Sequence, residues 1–147
     1  MIFRSFFLLW MIFGLSACQE QVSYETLVTN PRYLQQEQKK CESDASNPQC
    51  KIVKQAAFVL DMLSHEQMEA PEAFGERILH AQMKMADAKE TLDDAKAHVI
   101  ELHRKNANQQ LQNDAQKVLG QAKTNYDDTV MEVNILLAAL FSTSPTN

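Results

Sequence analysis

The sequence predicts an all-α protein: two short disulfide-linked helices followed by a long antiparallel, coiled-coil-like helical hairpin. Three observations point there. Glycine and proline are scarce, 3 and 4 among 147 residues, whereas Ala, Gln, Lys, Leu and Met are plentiful. Few residues therefore interrupt a helical ladder, and many lose little rotamer freedom in it. Apolar residues also recur at helical spacing over two long stretches. Finally, Asn-Pro occurs twice, at 30–31 and 47–48. Asn can cap a helix, and Pro is tolerated at its first position. The length suits one modest domain.

Taken in order, Met1 to Arg4 form a short segment with one positive charge, and Phe6 to Phe13 are uninterruptedly apolar. That run is too short to cross a bilayer, which takes about 20 residues. Its length and flanks are those of a secretory signal peptide, covering residues 1–17. Leu15-Ser16-Ala17-Cys18 resembles the lipobox of bacterial lipoproteins. In that family the cysteine thiol receives diacylglycerol and the signal peptidase cuts before it, so the resemblance implies lipidation at Cys18. The alternatives are a retained signal-anchor helix, or ordinary cleavage that leaves Cys18 a thiol. Each buried methylene of an acyl chain contributes about 0.8 kcal/mol, so two or three chains hold a soluble domain stably. Gln19 follows the cysteine; an Asp there would favour inner-membrane retention in Gram-negative sorting, so Gln19 favours the outer membrane. The expected location is the cell envelope, lipid-anchored and facing the periplasm.

The formal charge is −5, and loss of residues 1–17 with Arg4 leaves about −6. An acidic chain lacks the field that attracts nucleic-acid phosphates. Nor does it draw itself to anionic lipids. The expected partners are thus the membrane, through lipid on Cys18, and a protein of the envelope.

Residues 18–30 read as a lipidated tether. A first helix is expected from Pro31 to Ser43, and a second from Asn47-Pro48 to about Gln67. In the second, Val53, Ala56, Leu60 and Leu63 are spaced 3, 4 and 3, placing them on one face. Export implies an oxidising compartment, and Cys41 and Cys50 are the two cysteines left after Cys18. They read as one disulfide across a polar, turn-rich loop, tying together a helical pair over 31–68. A metal site is the alternative; it is disfavoured because the spacing is not C-x₂-C and no His lies nearby.

Pro71 opens the third element. Ile78, Ala81, Met85, Ala88, Leu92, Ala95, Val99 and Leu102 recur at 3-4-3-4-3-4-3, a heptad seam. The register then meets Asn106, Gln109, Asn113 and Gln116 and stops. A second seam follows: Ala115, Val118, Ala122, Tyr126, Thr129, Val133, Leu136 and Leu140, with a one-residue slip near Tyr126. The seams span about 36 and 38 Å at 1.5 Å per residue. Equal lengths around an amide-rich break at Asn106-Ala107-Asn108 predict a hairpin over 71–141. One continuous helix through 106–113 is the alternative. The apolar end, Ile135 to Phe141, is expected to pack on the second helix in a four-helix core, the other reading being a surface that touches a partner or membrane. Residues 142–147 are a polar tail.

No catalytic constellation stands out. The histidines, at 65, 80, 98 and 103, share no metal-binding i,i+4 spacing, and three glycines leave little room for a phosphate-cradling loop. Asp93-Asp94 and Asp127-Asp128 are expected to be solvated on polar faces. No catalytic residue, cofactor or metal ligand is expected, and the protein is not expected to be an enzyme.

The order Val22 and Tyr24, Asn30-Pro31, Leu34, Cys41, Asn47-Pro48, Cys50 and Ala56, behind a lipobox cysteine, resembles the conjugative entry-exclusion lipoproteins of the EexN type, with TrbK as a looser relative. The resemblance covers residues 18–57; family members mostly end soon after the second cysteine, whereas this chain continues through 71–141. It implies a recipient-cell protein that blocks redundant plasmid transfer by contact with a type IV secretion component. An envelope scaffold or adaptor lipoprotein, using the hairpin as its interaction surface, is the alternative expectation.

Overall fold

The structure, a computed structural model, describes residues 22–44 and 46–142. The expected signal peptide, Cys18, Gln19 and the tail beyond Ser142 lie outside the described residues. Every element among the described residues is helical: α1 Tyr24–Thr29, α2 Pro31–Ser43, α3 Cys50–Glu69, α4 Pro71–Arg104 and α5 Gln109–Ser142.

α1 falls inside the stretch read as a tether. Ser23 caps it, its side chain accepting from the Thr26 N–H at 3.1 Å. Six residues cannot hold a helix alone, because nucleation costs more than so few ladder bonds return. Burial sustains it instead: Leu27 and Val28 are both 0 % exposed in the main core. The helical structure therefore begins at Tyr24, inside the stretch expected to be tether, rather than at Pro31.

α2 starts and stops where the sequence indicates. Asn30 Oδ1 accepts from the Tyr33 N–H at 3.1 Å, and Pro31 occupies the first turn. The second Asn-Pro works differently. Asn47 Oδ1 accepts from the Gln49 N–H at 2.9 Å, a local turn, and α3 begins only at Cys50. Its buried face is Cys50, Val53, Ala56, Leu60 and Leu63, including all four residues picked out by spacing.

α4 and α5 each have 34 residues, about 51 Å of helix, and fold back on one another. The turn between them is a Schellman cap. Ala107 N–H donates to Leu102 O at 3.0 Å and Asn106 N–H to His103 O at 3.1 Å, with Asn106 left-handed at φ 51°. Asn108 then caps α5 through its Oδ1, which accepts from the Leu111 N–H at 3.0 Å. The amide-rich break is thus a working pair of caps, and the continuous-helix alternative falls.

All eight seam residues of α4 are buried or half-buried. In α5 one position must be corrected. Val118 is 53 % exposed, and Leu119 takes its place, packed against Leu92, Ala95 and Ala122. With Leu119 the seam runs 115, 119, 122, 126, 129, 133, 136, 140, alternating 4 and 3 throughout, and the apparent slip disappears. One helical step is 100°, enough to carry Val118 off the narrow stripe that a single partner helix covers.

The main core lies at the end of the hairpin remote from the turn. There α1, α2 and α3 cover α4 and α5 around Leu27, Leu34, Leu60, Phe74 and Leu136. The apolar end of α5 belongs to it: Leu136, Ala138 and Ala139 are buried. The packing joins five helices rather than four because α1 contributes. Phe141 is the exception, 68 % exposed at the last turn.

Candidate functional site

The two described cysteines are brought together. Cys41 and Cys50 Sγ are 2.06 Å apart with Cα atoms 5.5 Å apart, joining the last turn of α2 to the first residue of α3. Cys50 is buried and Cys41 half-buried, so the bond is inside the packing rather than at a reactive surface.

Cys18 is four residues before the first described residue, Val22. Extended chain of that length reaches at most about 14 Å. Whatever holds Cys18 must therefore hold the part of the domain that Val22 joins. That part is the base: Val22 packs against the main core, and farther along Thr29, Asn30, Pro31 and Arg32 line one open cavity of about 650 Å³ with Phe141 and Ser142 at the end of α5. The hairpin turn at Lys105–Asn108 is at the opposite end of α5, about 51 Å away.

Elsewhere the polar surface is ordinary. Among the described residues no group of three or more His, Cys, Asp or Glu is placed to hold a metal. His65 faces Glu69 at 3.2 Å in the open. Asp93 lies between Lys89 and Lys96, and the hydrogen bond from Lys89 holds its carboxyl below the usual range. Lys105, 2.5 Å from Glu101, does the same there. The Glu37 carboxylate at 2.6 Å raises Lys40. All these pairs link neighbouring turns; the exposed ones contribute little, whereas Glu37, 6 % exposed, is buried beside the core.

Spacing did not reveal one feature. Val59, Met62 and Leu63 of α3 face Met131, Ile135 and Leu136 of α5 across a slot of about 260 Å³. Asp128, Glu132 and Arg77 complete its lining. Phe58, one turn before Met62, is 69 % exposed, and Met62 is 50 % exposed. The signal was present as two apolar residues four apart on the outer face of α3, but the α5 half of the slot lies about seventy residues away in sequence. Asp127 and Asp128 are both exposed, as expected, and Asp128 also edges the slot. Compared with known proteins, the chain matches no family model, no curated protein and no solved structure.

Proposed function

We propose that the protein is a membrane-anchored bacterial lipoprotein that acts by protein–protein contact, in conjugative entry exclusion. The observation that carries the contact reading is the placement of the two ends. Val22, where the chain enters the domain, and the end of α5 share the base, while the turn at Lys105–Asn108 lies a full hairpin length away. Lipid on Cys18 would hold the base within a few residues' reach of a bilayer and leave the hairpin projecting from it. The exclusion reading rests on the resemblance over residues 18–57. Recipient cells expressing the protein should receive a cognate plasmid at reduced frequency, and cells expressing Cys18→Ser should not. Undiminished transfer into cells with the intact chain overturns exclusion.

A second reading, an envelope scaffold or adaptor, is favoured by the outer half of the hairpin. Ile100, Leu111 and Val118 are 68, 50 and 53 % exposed there, in a part of the chain that the resemblance does not cover. Deleting residues 89–95 together with 119–125 shortens both arms by one heptad and keeps the turn. Exclusion that survives this change lies in the base; exclusion lost with the protein still folded lies in the arm.

A further inference from the structure

From the slot between α3 and α5, we infer that the protein has a docking groove for a basic, amphipathic helical segment of a protein partner. The floor is apolar: Val59 and Leu63 from one helix, Ile135 and Leu136 from the other. Its walls are the thioethers of Met62 and Met131, unbranched and adaptable, as suits a surface that receives a side chain of variable shape. At about 260 Å³ the slot takes one or two large apolar side chains, the usual anchors of a helix laid in a groove. Phe58 continues the strip one turn along α3.

Charge decides what fits. Asp128 and Glu132 edge the slot, one turn apart on α5, and neither is in an ion pair among the described residues. Like charges at i,i+4 are mildly unfavourable in an isolated helix. Beyond Lys123 the rest of α5 holds no Lys, Arg or His, and Arg77, the cation among the slot's lining residues, is engaged by Glu66 at 2.7 Å. An apolar slot edged by two uncompensated carboxylates matches a segment whose leucines or methionines are flanked by lysine or arginine. The same rim repels anionic lipid headgroups, and a second copy of a chain of net charge −5 is a poor match. The groove shares with the proposed function only the premise of protein contact; it does not depend on lipid at Cys18.

The test uses the full chain in detergent micelles with photoreactive benzoylphenylalanine in place of Met62. Two synthetic probes are offered, each with leucines at i, i+3, i+4 and i+7, one with lysines and one with glutamates elsewhere. The lysine peptide should crosslink about tenfold more than the glutamate peptide. That excess should vanish in Asp128→Lys/Glu132→Lys and be reduced in Asp128→Asn/Glu132→Gln, a milder change that guards against misfolding. It should also be absent when the photoreactive group replaces Ile100. Equal yields from the two peptides, no crosslink from either, yields indifferent to the charge changes, or crosslinking chiefly to a second copy of the chain each overturns the groove. A failed exclusion assay leaves the crosslinking result untouched, so the two proposals fall separately.

Discussion

The base and the outer hairpin follow the same heptad spacing and are built to different standards. At the base, Phe74, Leu27, Leu136, Val28 and Val53 are each under 2 % exposed, enclosed by side chains from five helices. In the outer arm the buried cluster is Leu92, Ala95 and Ala122, with Leu119 and Tyr126 packed against it. Two helices can shield only the seam between them; everything beside that stripe faces water. Spacing therefore decides which residues meet, while the number of covering elements decides how much that meeting stabilises. Burial contributes in proportion to the apolar area removed from water, so most of the stability resides at the base. The outer arm is the part expected to open locally.

The sharpest way to break this contrast is Phe74→Ala. Removing the largest fully buried side chain should cost about 3–5 kcal/mol and lower the denaturation midpoint of the whole protein. A loss near 1 kcal/mol would mean that the base is no better packed than the arm. Next comes the disulfide. Cys41→Ser/Cys50→Ser should cost about 2.5–3 kcal/mol on the chain-entropy estimate for so short a loop. Hydrogen exchange should then quicken over α2 and α3 before it does near the turn.

Gly120 sharpens the other side. A Cβ there would meet nothing within 4 Å, so Gly120→Ala should stabilise by about 1 kcal/mol through helix propensity alone. The gain should appear as slower exchange in the outer arm. The smallest effect concerns pH. The carboxyls of Asp93 and Glu101 are held low by Lys89 and Lys105, so they bind protons less readily folded than unfolded. Their contribution is therefore present above the unfolded values near about 4 and is lost as pH falls through the lower folded values. Exchange in the outer arm should quicken slightly across that window, and salt should shrink the difference.

Much of this architecture was legible because local signals and packing agree. Pro31 and Ser43 bound α2 as its caps indicate, and every α4 seam residue from Ile78 to Leu102 turns inward. α1 was not legible. Tyr-Glu-Thr-Leu-Val-Thr has too few residues to establish a period, and its helix exists because other helices cover Leu27 and Val28. Spacing does not separate Val118 from Leu119, since both are aliphatic and adjacent; only the partner helix distinguishes them. The disulfide could be read from counting cysteines once export is expected. The α3–α5 slot could not, since neither helix alone contains it.

The burial of α1 also sets an order of events. Leu27 and Val28 share their core with Ala138 and Ala139, more than a hundred residues later in the chain. A polypeptide emerges from the ribosome N-terminus first, so the earliest core residues wait for nearly the last of the core. The two arms of α4 and α5 can zip locally through their turn, as near-neighbour contacts form quickly. The base closes only afterwards, when the end of α5 is available to it. It also makes the protein intolerant of premature termination: a chain ending before Val133 would have most of its hairpin and no lid for its own beginning.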